Sequence, residues 1–79
     1  MIERLTLNGI KSRGEGKKFR AFLTRKVRIW STEHAAWWRP DYKGYTRKED
    51  EAGIYNFCDA YAATKHCGRE KRISYYPVN

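Results

Sequence analysis

The sequence predicts a small α+β domain: an antiparallel sheet of three or four strands with one main helix packed on one face. Three stretches carry that expectation. Residues 19–30 alternate apolar and basic side chains, residues 57–66 repeat apolar side chains at helical spacing behind a cap residue, and residues 71–76 alternate again before a proline. A chain of 79 residues reads as one domain spanning 1–79, and folding at this length buries only about 60% of the unfolded surface, so the core is thin. Three Trp, six Tyr and three Phe compensate, because each ring buries a large area. The larger part of these rings is expected in the core.

In order along the chain, Ile2 to Leu7 sets Leu5 and Leu7 against Arg4 and Thr6, a short first strand. Asn8-Gly9 is a turn signal, and if Ile10 continues into a second strand the two form a tight hairpin. Residues 11–18, KSRGEGKK, contain two glycines and no apolar anchor and read as a mobile basic loop. Phe19, Ala21, Leu23, Val27 and Ile29 then occupy odd positions, with Arg20, Thr24, Lys26 and Arg28 on even ones, which is a strand with one apolar and one basic face. Arg25 interrupts the odd series, which admits a bulge or two shorter strands. A helical reading threads Phe19, Phe22, Leu23, Val27 and Trp30, but the β-branched and aromatic residues at the end favour strand. On the strand reading, Phe22 and Trp30 join Arg20, Lys26 and Arg28 on the outer face.

Ser31-Thr32-Glu33 is a turn, and His34 to Arg39 is a short strand that pairs antiparallel with the preceding one. Trp37 and Trp38 then point to opposite faces, so one enters the core. Pro40 ends that strand, and Asp41-Tyr42-Lys43-Gly44 is a turn. Thr46 followed by Glu49 has capping-box spacing, which starts a helical turn near Arg47 that Gly53 breaks. Asn56 with Asp59 repeats the cap spacing, and the helix over 57–66 places Phe57, Ala60, Tyr61 and Thr64 on one face. Lys65 and His66 suit the helix C-terminus, and Gly68 suits the residue after it. In the last strand Ile73 and Tyr75 face one way, Ser74 and Tyr76 the other, and Pro77 ends it.

Charge narrows the function. The net charge is +8, and residues 1–30 carry nine Lys/Arg against two Glu, whereas residues 31–79 carry eight against seven acidic groups. Such asymmetry points to a polyanion or an acidic protein surface as partner, with a merely solvated basic face as the alternative. The candidate partner-binding residues are Lys17, Lys18, Arg20, Phe22, Lys26, Arg28 and Trp30. Cations along phosphates with rings under bases hold single-stranded nucleic acid, and the same residue types dominate protein hot spots. A helix-turn-helix, a zinc module and the aromatic RNA-recognition signature are all missing from the sequence.

Other chemistries find little support. His34 is isolated, His66 adjoins Cys67, and there is no C-x-x-C pair, so neither zinc nor any other cofactor is expected. No nucleophile elbow, phosphate loop or paired-carboxylate pattern accompanies Glu33-His34 or Asp41, and Glu49-Asp50-Glu51 suits a first helical turn; the chain reads as a binding protein, not an enzyme. Cys58 and Cys67 on one helix would rise about 13 Å, beyond the roughly 7 Å that a disulfide bridges, so both are expected reduced, Cys58 in the core. No apolar run of roughly eighteen residues marks a membrane span, and MIERLTLNGIK lacks an apolar signal core, so a cytoplasmic monomer is expected.

The order Trp38-x-Pro40, Gly44-Tyr45-Thr46, Ala52-Gly53-x-Tyr55, a short helix and a strand ending at Pro77-Val78 resembles small proteins encoded in phages and prophages, some of which are anti-CRISPR inhibitors. The resemblance spans residues 37–78, about half the chain. It implies an inhibitor that binds a bacterial host protein or nucleoprotein complex, such as a CRISPR effector, in the host cytoplasm and blocks its target nucleic acid. The residue-level alternative is a small single-strand nucleic-acid-binding protein.

Overall fold

The computed structural model describes residues 4–13 and 16–78. Within them the chain is α+β, and its sheet is antiparallel throughout. The elements run β1 (Leu5–Thr6), α1 (Leu7–Arg13), α2 (Gly16–Phe22), β2 (Lys26–Ser31), β3 (Ala36–Trp38), β4 (Tyr45–Thr46), β5 (Tyr55–Asn56), α3 (Phe57–Thr64) and β6 (Ile73–Val78). Short 3-10 turns cover Pro40–Tyr42, Glu49–Glu51 and Arg69–Lys71. The sheet order is β1-β6-β2-β3-β4, and β5 pairs with β2 beside β3. The expected three or four strands and one main helix thus become six strands and three helices among the described residues. The additional strands β1, β4 and β5 are two residues each, too short to display an alternation.

The N-terminal third departs most from the sequence reading. Asn8-Gly9 lies inside α1 and makes no hairpin. Thr6 explains why: its hydroxyl accepts the Gly9 N–H at 3.0 Å, a cap bond that starts a helix where an Asn-Gly turn was expected. Leu7 and Ile10, one helical turn apart, then pack in the core cluster. The expected loop over 11–18 is helical at 11–13 and 16–18, while Gly14 and Glu15 lie outside the described residues, as do Ile2 and Glu3 of the expected first strand. The apolar anchors that KSRGEGKK lacks flank it, as Ile10 on one side and Phe19 on the other.

The segment 19–30 divides where Arg25 interrupts the alternation. Phe19 and Phe22, one turn apart on α2, set their rings edge-on to Phe57 of α3, with centroids 5.3 and 5.6 Å away. Leu23 and Thr24 then turn the chain, closed by the Arg25 N–H to the Phe22 carbonyl at 2.9 Å. The strand starts at Lys26, and its burial alternates strictly, with Val27, Ile29 and Ser31 inside. Helical and strand periodicities are both present, one in each half.

β2 is the central strand. It pairs along its whole length with β6, from Lys26↔Val78 to Ser31↔Ile73, and on its other side with β3 and β5. Leu5, Tyr75 and Ile29 are in register across three strands and fully buried. Phe22, Phe57 and Ala60 from the helices close over them in one cluster. β6 continues through Pro77 to Val78 instead of stopping. Proline fits because β1 pairs only with Ser74 and Tyr75, so β6 is a sheet edge at Pro77.

Two cap expectations are replaced. Thr46 accepts the Lys48 N–H at 3.1 Å and donates to Glu51 at 2.9 Å, so it ties the 3-10 turn at Glu49–Glu51 to β4 without boxing Glu49. Asn56 stands at the N-cap of α3 with no side-chain cap bond, and α3 ends at Thr64, short of His66. Both cysteines are free thiols; Cys67 is the buried one and Cys58, beside Phe57 on the solvent side of α3, is exposed.

Candidate functional site

Three helices cover one side of the sheet and leave the other to the even-numbered side chains of β2. Across that open face, register places Thr6, Ser74, Trp30, Trp37 and Thr46 in one row. Tyr76 stands opposite Arg28 in the next row, and Val78, Lys26 and Asn56 form a third. The centre is aromatic. Trp30 and Trp37 meet edge to face at 5.0 Å and 71°, and Trp37 meets Tyr76 at 5.4 Å and 70°. Three rings from three adjacent strands therefore form one half-exposed platform.

Cations border this platform. Lys26 is exposed, and among the described residues no ion pair holds it. The Arg4 guanidinium donates to the Tyr76 hydroxyl at 3.4 Å. Arg28 donates from Nη1 to Glu49 at 3.3 Å, while its Nε is buried with no partner among the described residues. Glu49 is the more exposed member of that pair, with 63% of its side chain accessible against 24% for Arg28. A solvent-side carboxylate at 3.3 Å contributes about 0–1 kcal/mol and is readily displaced by a competing anion.

The predicted set separates into three places. Lys26, Arg28 and Trp30 share the open face. Lys17, Lys18 and Arg20 are exposed on α2, in the helical layer, because 16–22 is helix instead of strand. Phe22 is fully buried and corrects its assignment as a surface contact: the odd–even count that placed it outside does not apply within a helix. Trp37, Tyr76 and Arg4 were missed. Their signal was present as alternation, which sets Trp37 opposite Trp38 and Tyr76 opposite Tyr75, but only strand pairing shows that the outward members converge.

The aromatic loop at 39–55 is a structural unit on the other face. Trp38 packs against the core, and Tyr42 stacks on Tyr55 at 4.7 Å and 23°. The Tyr55 hydroxyl accepts the Tyr42 N–H at 3.1 Å and donates to the Arg39 carbonyl. Burial raises both phenols above their ordinary value, and for Tyr42 the neighbouring Tyr55 and Asp59 add to it. These are neutral donors and acceptors that hold a loop. His34 stacks on Tyr45 at 4.1 Å and lies 3.4 Å from Glu33.

Among the described residues, no group of three or more His, Cys, Asp and Glu is placed to hold a metal ion, and no helix is long and apolar enough to cross a membrane. No protein-family model, curated protein or solved structure matches the chain.

Proposed function

We propose that the chain is a non-enzymatic binding protein that takes single-stranded nucleic acid on the open face of its sheet. The observation that carries this reading is the Trp30–Trp37–Tyr76 platform bordered by Arg4, Lys26 and Arg28. Half-exposed rings accept bases of any identity, and each stacked base is worth about 1–3 kcal/mol. Guanidinium and ammonium groups at the border neutralise the backbone that connects those bases. A strand exposed in a nucleoprotein complex presents the same chemistry as a free one. Covering it would stop target pairing, which is the inhibitory role that the resemblance to phage and anti-CRISPR proteins implies.

The test is titration with short oligothymidylate and oligouridylate while following tryptophan emission at several salt concentrations. Stacking on Trp30 and Trp37 quenches their emission. Three or four contacting cations predict a slope of log K against log salt of about −2 to −3. Trp37→Ala is expected to weaken binding roughly tenfold or more, and Lys26→Glu to flatten the salt slope by about one contact, with thermal melts showing that both variants fold. Saturable capture of an acidic protein, with no oligonucleotide binding at low salt, would assign the face to a protein partner instead.

A further inference from the structure

Beside the aromatic platform, where β6 meets β1 and the start of α1, lies a pocket of about 280 Å³. Arg4 and Thr6 at β1, Asn8 of α1, Thr32 of the β2–β3 turn, Arg72 just before β6, and Ile73 and Ser74 at its start line it. Residues 68 positions apart in sequence thus bring two arginines to the lining of one small cavity. We propose that this pocket is a phosphate-binding subsite.

The chemistry of the lining supports it. Among the described residues, none that lines the pocket is acidic. Glu33, which adjoins Thr32 in sequence, is turned to Lys71 at 3.6 Å and to His34 at 3.4 Å; Glu3, which adjoins Arg4, lies outside the described residues. Thr6 uses its oxygen to accept the Gly9 N–H, which leaves its hydroxyl hydrogen to donate. Hydroxyl groups of Thr6, Thr32 and Ser74 together with two arginines match the unprotonated acceptor oxygens of a phosphate group. Two backbone features hold the site. Arg72 has a left-handed backbone at φ 47°, uncommon for a residue with a side chain. The β2–β3 turn docks on this segment through the Thr32 N–H to the Arg72 carbonyl and the Glu33 N–H to the Lys71 carbonyl, both at 3.4 Å.

The position also fits a polymer. Ser74 is the direct cross-strand partner of Trp30, so the pocket begins where the platform ends. On the reading of the open face as a single-strand site, on which this extension rests, a base on Trp30 would carry its phosphate into the pocket. The phosphate alone does not need that reading.

The experiment is a titration of isotopically labelled protein with inorganic phosphate at constant ionic strength, read by amide and guanidinium shifts, and compared with chloride. Saturating shifts confined to Arg4, Thr6, Thr32, Arg72 and Ser74, lost in Arg72→Asn and reduced in Arg4→Gln, are the expected result. Asn tolerates the left-handed backbone, so the first variant removes the cation without removing the turn. Unsaturated shifts spread over all the exposed lysines and arginines would overturn the subsite. A second arm uses oligothymidylate with and without a 5′-phosphate. If the terminal phosphate raises affinity only when Arg72 is present, the pocket takes a strand end. If affinity depends on Arg72 without regard to the terminal phosphate, it takes the backbone. Saturation by inorganic phosphate with no oligonucleotide binding would keep the subsite and remove the nucleic-acid reading. Oligonucleotide binding that is indifferent to Arg72, together with phosphate shifts that do not saturate, would do the reverse.

Discussion

At the residue scale, Tyr75 shows how a polar atom is admitted to so small a core. Its ring is fully buried against Phe57, with centroids 5.2 Å apart, and its hydroxyl lies 2.6 Å from Thr64 Oγ1. Thr64 donates its own hydrogen to the Ala60 carbonyl at 2.7 Å, so Tyr75 is the donor in the phenol–threonine bond. Burial holds that phenol well above its ordinary value of 10.0, and a bond that the phenol itself donates favours the same protonated form. The folded protein therefore keeps a proton that the unfolded chain releases above about pH 10. The stability this contributes is fully present below pH 10 and is lost progressively as pH rises beyond it. Tyr75→Phe removes one buried hydrogen bond at a cost of about 1–2 kcal/mol, and it should also remove that part of the alkaline loss. Denaturant midpoints at pH 8 and pH 10.5 check both, and a variant with the same alkaline loss as the parent would place the titrating group elsewhere.

At the element scale, the connection from β3 to β5 folds because one position lacks a side chain. A Cβ on Gly53 would lie 2.8 Å from the Pro40 backbone and 2.8 Å from the Tyr55 ring. The Gly53 N–H donates to the Trp38 carbonyl at 2.8 Å, which fixes the close approach. Gly53→Ala must displace the turn or the stacked Tyr42–Tyr55 pair. It is expected to cost about 1–3 kcal/mol and to lower Tm by roughly 5–15 °C, measured by calorimetry. Sequence reading found Gly53 as a break but not as a packing position, since the partners Pro40 and Tyr55 meet it only in three dimensions. The same limit explains the rest of the outcome. α3, β3 and β6 were legible because Phe57, Ala60 and Thr64, or Ile73 and Tyr75, repeat over enough residues to show a period. β1, β4 and β5 were not, because two residues have no period. Thr6 belongs to both a strand and a helix cap, and Asn8-Gly9 after it carried the stronger local signal, so the hairpin reading displaced a helix. Of the open face, Lys26, Arg28 and Trp30 were visible from alternation, whereas the Arg4–Arg72 pocket depends on β1 and β6 becoming neighbours.

At the scale of the whole molecule, the +8 charge is divided between two sides of the sheet. Lys17, Lys18 and Arg20 are exposed in the helical layer, while Arg4, Lys26 and Arg28 border the open face. The domain measures 29 × 28 × 25 Å along its axes. Screening then decides what each group can do. The Debye length is about 8 Å at 0.15 M ionic strength and about 30 Å at 0.01 M. At the higher value the α2 cations do not reach a strand on the open face; at the lower value their field spans the domain and draws the strand in. The combined variant Lys17→Gln, Lys18→Gln, Arg20→Gln is therefore expected to weaken oligonucleotide binding several-fold at 0.01 M and to leave it unchanged at 0.15 M. Lys26→Gln should weaken it at both, because that ammonium group borders the platform itself. Equilibrium titrations of the two variants at the two salt concentrations separate contact from long-range attraction. Equal losses at 0.15 M from the α2 variant would move the strand to the helical layer, and with it the functional site.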